Sequence, residues 1–149
     1  MSTAVQVEGN LLEKPVSRVV KVGDGTEVVT EFRIMSDTRK RVGDEWVQDD
    51  EKTYPVNVTM WGKKRGEDIM RLLHVGVRVM VHGDQHLRHF TPNEEQAARG
   101  LVAKTSVEVV GNYVGLSLGR IKSLEMFPSK ATEAARDAAS EAAAATVNS

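Results

Sequence analysis

Apolar and polar positions alternate through most of the first 121 residues of this chain. Val5, Val7, Gly9 and Leu11 alternate with Gln6, Glu8 and Asn10, and after Pro15, which marks a bend, the β-rich stretch from Val16 to Val22 continues the run. Side chains two apart share a face of a strand, so this period predicts a strand with one face buried. The turn Gly23-Asp24-Gly25 hands over to Val28, Thr30, Phe32 and Ile34, alternating with Glu27, Glu31 and Arg33, which predicts a second strand paired with the first as a hairpin. A polar loop is expected from Asp37 to Lys52, and Val56, Val58 and Met60 define a third strand. The period then changes. Ile69, Leu72 and Leu73 follow helical spacing within Glu67 to Val75, with acidic Glu67 and Asp68 at the start and Gly76 as a stop. A fourth strand is expected from Val77 to about Phe90, a loop from Thr91 to Gly100, and a fifth strand from Leu101 to Val110, with further apolar alternation over 113–121.

Three strands, a short helix and two more strands is the element order of an all-β, five-stranded oligonucleotide/oligosaccharide-binding (OB-fold) barrel with its short helix between strands three and four. The end of the chain differs in kind. From Phe127 the composition turns to Ala, Ser and Thr, with nine alanines between Ala131 and Ala145. Residues 1–127 carry 18 basic and 18 acidic side chains, whereas the remainder carries 2 and 3. The expected organisation is a barrel domain over 1–121 and a flexible Ala-rich tail over 122–149. Alanine favours helix, but an isolated short helix without an apolar stripe is marginal in water.

The length of 149 residues fits one domain, and 40% hydrophobic with 28% charged residues is enough to build a core. A net charge of −1 argues against a binder that grips by bulk positive charge, so a polyanionic partner has to be held by a local patch. The absence of cysteine excludes disulfides, thiol catalysis and thiolate metal sites, and suits the reducing cytosol. The start MSTAVQVEGN has no basic-then-apolar leader, and no apolar run reaches the length of a membrane span. A cytoplasmic protein is expected.

Strand parity selects the side chains available for chemistry, because neighbours on a strand point to opposite faces. With Val56, Val58 and Met60 inward, Trp61 falls outward with Asn57 and Thr59. With Val77, Val79, Val81 and Leu87 inward, Phe90 falls outward with Arg88, His86 and His82. Lys63, Lys64 and Arg65 flank the first aromatic, and Arg88 the second. Exposed aromatic faces stack on unpaired bases while basic side chains track phosphates, a mechanism that needs no catalysis and tolerates any sequence. The alternative for each aromatic is a rim residue of the core, since one bulge resets parity. Tyr54 shares parity with Val56, so it reads either as a core tyrosine or, if Pro55 distorts the strand start, as a third stacking residue. The loop carries Arg39, Lys40 and Arg41, either solvated or within reach of a bound strand, then Trp46 and the acidic Asp49-Asp50-Glu51. Trp46 is open to three readings: stacking, packing over the hairpin, or contact with a neighbouring subunit.

All four histidines lie between His74 and His89. His82 and His86 share a face but lie about 13 Å apart on an extended strand, and His89 points away, so a shared metal site is not expected. The carboxylates at Asp44-Glu45 and Asp49 to Glu51 lack an oxygen-ligand loop of known spacing. There is no P-loop, no nucleophile–His–Asp context and no Gly-rich dinucleotide fingerprint. The expectation is a protein with no cofactor and no catalytic residues.

Several fragments in order resemble the bacterial single-stranded DNA-binding proteins: Val7-Glu8-Gly9-Asn10-Leu11 followed by Pro15, Phe32-Arg33-Ile34, Glu45-Trp46, Tyr54 through Met60-Trp61-Gly62-Lys63, Leu72-Leu73 before Gly76, and Val79-Met80-Val81-His82-Gly83. The similarity spans roughly Val5 to Ile121. It implies base stacking by Trp61 and Phe90, in agreement with parity, and a further aromatic near Tyr54 or Pro55. Another stacking aromatic of the family corresponds most nearly to Arg39, which can stack or bind phosphate. The resemblance also implies a homotetramer in which the first strand, Val5 to Leu11, pairs across a subunit interface. The family's tail ends in an acidic-aromatic tip that recruits replication and repair enzymes, whereas this sequence closes on Ala145-Thr146-Val147-Asn148-Ser149. Recruitment through the tip is therefore not expected.

Together these readings predict a nucleoid-associated, non-enzymatic protein that binds and protects single-stranded DNA during replication, recombination or repair. The alternatives are an OB-fold protein-interaction module of the primosome-adaptor kind with weak nucleic-acid binding, and a metal-dependent enzyme. Between Tyr54 and Phe90 lie six basic residues (Lys63, Lys64, Arg65, Arg71, Arg78, Arg88) against three acidic ones (Glu67, Asp68, Asp84), which predicts a local basic excess beside Trp61 and Phe90.

Overall fold

The computed structural model describes residues 3–37 and 39–147. The first predicted strand is two, separated where Pro15 was expected to bend the chain: β1 (Thr3–Leu11) and β2 (Val16–Val22). β3 (Gly25–Ser36) follows, then β6 (Tyr54–Trp61), β7 (Arg78–Phe90) and β8 (Lys104–Leu116), with β4 (Arg39–Val42) and β5 (Glu45–Gln48) between β3 and β6. The main sheet runs β1-β7-β8-β6-β3-β2, and β1 also pairs with β3 through Gly9–Leu11 against Ile34–Ser36. That last pairing closes a ring of five strands, and β2 lies outside it as a hairpin partner of β3. The expected OB-fold barrel is thus present. Closure depends on Gly9, where a Cβ would collide with the Met35 backbone carbonyl.

The interior follows the alternating pattern. Val56, Val58 and Met60 of β6, Phe32 and Ile34 of β3, Val79 and Val81 of β7 and Val109 of β8 are buried together. Helix α1 (Lys63–Leu72) connects β6 to β7 and buries Ile69, with Leu73 at its end. Its start lies four residues before the predicted one. Gly62 rather than an acidic residue opens it, and the basic triplet Lys63-Lys64-Arg65 forms the first turn. Cations there oppose the helix dipole, at a cost of about 0.3–1 kcal/mol each when exposed. Docking through Ile69 and the Lys64–Asp68 pair, 3.2 Å across one turn, offset it.

Three further expectations are corrected. The polar loop is a two-stranded ribbon, β4–β5, turned at Gly43-Asp44. Val42-Gly43-Asp44 repeats Val22-Gly23-Asp24 of the β2–β3 turn, and Gly43 supplies the positive φ of 65°. Asp49, read from the sequence only as part of an acidic run, is buried and accepts from the Glu51 amide. Leu87 is exposed rather than buried, because β7 and β8 continue as a hairpin past the buried part of the barrel, after a bulge opposite His82 and Gly83. The fifth strand begins at Lys104, leaving Leu101 and Val102 in an exposed loop, and the preceding segment forms a short helix, α2 (Glu94–Ala98), opened by an Asn93–Gln96 capping box.

The chain forms two compact units, Met1–Gly119 and Arg120–Ser149. In the second, the alanine-rich segment read as a flexible tail is helical over α3 (Lys130–Val147), and its described side chains are all exposed. The terminal Asn148 and Ser149 lie outside the described residues. No described helix is long and apolar enough to cross a membrane.

Candidate nucleic-acid interface

The side chains of one sheet surface follow from register. β3 sets Glu31 opposite Thr59 and Arg33 opposite Asn57 of β6, and Asn57 in turn lies opposite Glu108 of β8. Trp61 ends this row on the same face of β6, more than a third exposed and opposite the buried Val29. On β7, His86 lies opposite Glu108, Arg88 opposite Ser106, and Phe90 opposite Lys104. The parity argument therefore places Trp61 where it was expected. Phe90 is half-buried, beside the loop that carries Leu101 and Val102.

Two clefts open on this surface. One, of about 340 Å³, is bordered by Glu13 and Lys14 of the β1–β2 connection, Arg33, Asn57, Arg88 and Glu108. The other, of about 470 Å³, has Phe90, Leu101, Val102 and Lys104 in its walls. Arg88 and Glu108 line both, joined by an ion pair of 3.4 Å. Two more arginine–glutamate pairs lie on this side of the sheet, Arg18–Glu31 at 2.9 Å and Arg33–Glu13 at 3.1 Å. Arg33 Nε is buried without a hydrogen-bond partner among the described residues.

The sequence-predicted cations are not equivalent. Lys63 and Arg65 form no ion pair among the described residues, whereas Lys64 is held by Asp68. Asp68 also accepts from Arg71, and the hydrogen bond from Lys64 first, with Arg71 adding, holds its carboxyl below the ordinary range. Arg78 stands at the other end of β7 from Arg88. Its Nε donates to Glu8 at 2.8 Å and its Nη2 to Asp37 at 3.1 Å. The Glu8 bond, and then Asp37, raise its pKa above the usual arginine value against the opposing effect of burial. The predicted excess of three positive charges is therefore not one patch: Arg78 is engaged with β1, and Lys64 and Arg71 share a carboxylate.

On the ribbon, Lys40 lies 3.9 Å from Asp49, and Arg41 pairs with Asp44 and donates to the Gly43 carbonyl. The Arg39 side chain lies outside the described residues. Trp46 is exposed, opposite Arg41 in the β4–β5 register. Tyr54 is exposed rather than a core residue; it begins β6 with the parity of Val56, not of Trp61. The histidines are dispersed: His89 Nδ1 meets Thr105 Oγ1 at 2.9 Å, and His82 meets Tyr113 edge-on with ring centres 6.0 Å apart. Among the described residues no group of three or more His, Cys, Asp or Glu is arranged to hold a metal ion. Sequence reasoning missed Arg33, Glu13, Glu31 and Glu108. The parity of Glu31 and Arg33 against Phe32 and Ile34 was an available signal; the positions of Glu13 and Glu108 depend on long-range pairing.

A barrel with an aromatic and arginine-lined outer sheet invites comparison with known proteins. The model of the single-strand binding protein family matches residues 2–116. The chain belongs to that family. Among solved structures, this single-strand binding family member is similar to a small single-stranded DNA-binding protein from Streptomyces coelicolor, with a TM-score of 0.63 and 22% identity over 80% of this chain and 98% of that one. It is also similar to the second single-stranded DNA-binding protein of Mycobacterium smegmatis (TM-score 0.54, 25% identity, 85% and 100% covered). A third similar structure is the Plasmodium falciparum protein in complex with single-stranded DNA (0.51, 19%, 76% and 91%). No curated protein sequence matches the chain.

Proposed function

We propose that this protein binds and protects single-stranded DNA of any sequence by stacking bases on Trp61 and Phe90 and pairing phosphates with Lys63, Lys64, Arg65 and Arg88. The observation that carries this reading is the shared outer surface of β6, β7 and β8, where an exposed Trp61 ends the outward row of β6 and a half-buried Phe90 lines one of two clefts that share Arg88. The first turn of α1 strengthens it. Three consecutive cations at a helix start are locally unfavourable, and such local violations cluster where function demands them. The ribbon residues Lys40 and Arg41, with Trp46 across from Arg41, set cations beside an exposed aromatic, Arg39 is assigned the same role from the sequence, and Tyr54 offers another exposed aromatic. No step of this mechanism breaks a covalent bond, so the protein is a binder and not an enzyme, with replication, recombination or repair in the cytoplasm as its setting. β1 also bears on the working form. Its outer edge from Thr3 to Glu8 has no partner strand among the described residues, which favours a homo-oligomer, a tetramer in keeping with the resemblance.

Tryptophan fluorescence tests the reading. Titration with oligo-dT at low salt should quench the emission strongly, and Trp61→Ala should remove most of the quenching and weaken binding by about 1–3 kcal/mol. Absence of quenching and of any mobility shift would instead favour a protein-interaction module on the same barrel.

A further inference from the structure

We propose that Glu13, Glu31 and Glu108 are specificity-determining residues that turn double-stranded DNA away: each occupies one arginine, so that attraction for phosphates alone holds nothing on this surface, and only a strand that also stacks its bases is kept. This rests on the single-strand-binding reading above and assigns its selectivity against duplexes to named residues. The charged side chains bordering the cleft of about 340 Å³ balance, Glu13, Glu31 and Glu108 against Lys14, Arg33 and Arg88. All three carboxylates are engaged: Glu31 by Arg18 at 2.9 Å, Glu13 by Arg33 at 3.1 Å and Glu108 by Arg88 at 3.4 Å. Register sets them among the outward side chains, since Asn57 lies opposite Arg33 on one side and Glu108 on the other, and Glu31 lies two residues from Arg33 on the same face of β3. Exposed ion pairs contribute little to folding, and each carboxylate repels a phosphate backbone. Neither stability nor attraction of a polyanion accounts for them, whereas exclusion of a competitor does.

A duplex offers this surface its phosphates and little else. Its bases are paired and stacked on one another, so it gains nothing from Trp61 or Phe90, and its sequence-independent attachment is electrostatic. It also carries the denser charge. Each cation that meets a duplex phosphate contributes about 0.9 to the slope of log affinity against log salt, compared with about 0.7 for a single strand. An arginine already neutralised by a glutamate is therefore a larger loss to the duplex. A single strand loses phosphate attraction as well, but it keeps the stacking contribution, which no carboxylate weakens. Selectivity is a difference of two affinities, and these carboxylates widen it by lowering the affinity for the wrong ligand.

The test uses the full chain in fluorescence anisotropy at about 0.1 M salt, with two labelled probes of equal phosphate number, oligo-dT and a blunt-ended duplex. In Glu13→Gln/Glu31→Gln/Glu108→Gln, which keeps side-chain size and frees three arginines, the duplex is expected to bind at least about tenfold more tightly than to the unmodified protein. Oligo-dT gains less, so its advantage over the duplex should shrink by about fourfold. A charge-matched variant in the second unit, Glu125→Gln/Asp137→Asn/Glu141→Gln, should leave that advantage where it is. An unchanged duplex affinity in the first variant overturns the proposal, and so does an unchanged advantage or a charge-matched variant that shrinks it equally. If the first variant fails to fold, Glu108→Gln alone decides: a rise in duplex affinity of about threefold or more supports the assignment, and its absence overturns it. Failure of the unmodified protein to bind oligo-dT would defeat the single-strand-binding reading itself, a distinct outcome.

Discussion

Lys63 and Arg88 carry the same charge but stand in different surroundings. Lys63, in the first turn of α1, has no carboxylate partner among the described residues, whereas Arg88 is paired with Glu108 at 3.4 Å. A phosphate that takes Lys63 releases a condensed counterion from the strand, and each such contact contributes about 0.7 to the slope of log affinity against log salt. A phosphate that takes Arg88 must first displace or share Glu108, so part of the gain is already spent inside the protein. Lys63→Ala is therefore expected to lower the salt slope by about 0.7, and Arg88→Ala by clearly less, in titrations between about 50 and 300 mM salt, which bracket the ~0.1 M at which the Debye length is ~10 Å. Equal reductions would show that the Arg88–Glu108 pair is open in the complex. The difference could not be read along the chain. Arg88 and Glu108 are twenty residues apart, and only the β7–β8 register, which sets His86 opposite Glu108, makes them diagonal neighbours.

At the scale of elements, α1 packs against the barrel through Ile69 and, at Gly66, by a close approach of its backbone. Gly66 is buried facing β3, and a Cβ there would lie 2.6 Å from Thr30 Oγ1 and 3.3 Å from a Val28 methyl carbon. The Thr30 hydroxyl is fully buried, with the Ser17 hydroxyl of β2 at 3.2 Å. Gly66→Ala therefore sets two effects against each other. Alanine gains about 1 kcal/mol in helix propensity, but overpacking costs about 1–3 and disturbing a buried hydrogen bond about 1 more. The loss should win: urea unfolding is expected to show a net destabilisation of about 1–3 kcal/mol, and an unchanged or raised midpoint would mean that α1 lifts off β3 without cost. How elements were recognised follows the same logic of burial. β6 was legible because Val56, Val58 and Met60 are all buried and alternate without interruption. The far half of β7 was not, because beyond Gly83 neither face is fully buried and Leu87 obeys no inward rule. The start of α1 was misjudged because Glu67 and Asp68 look like N-terminal residues; Asp68 instead serves Lys64 and Arg71 from mid-helix. The β4–β5 ribbon had a signal, its Gly-Asp turn, but no apolar alternation, since its side chains from Lys40 to Gln48 are all exposed.

At the scale of the whole molecule, two associations are proposed, and they should answer salt in opposite ways. Binding of single strands depends on cations set locally within a chain of net charge −1, so it must weaken steeply as salt rises. Self-association through β1 has another basis. Residues Thr3 to Asn10 pair with β7 on one side, while on the other β3 covers only Gly9 to Leu11, leaving six residues of strand edge with no partner strand among the described residues. The second edge of the sheet, β2, is also open, but it carries Arg18 and Lys21 among its exposed valines, and charge of that kind discourages strand addition. The Thr3–Glu8 edge has one charge, Glu8, and that is bonded to Arg78. A pairing made of backbone hydrogen bonds and apolar side chains such as Val5 gains or holds its strength as salt rises, since only surface charge is screened. Light scattering should therefore report a multiple of 16.4 kDa at both 0.1 and 1 M sodium chloride, while a bound oligo-dT is released over the same range. A mass of 16.4 kDa at low salt would remove β1 as an interface, and a mass that falls to it only at high salt would mean that ion pairs, not the strand edge, hold the copies together.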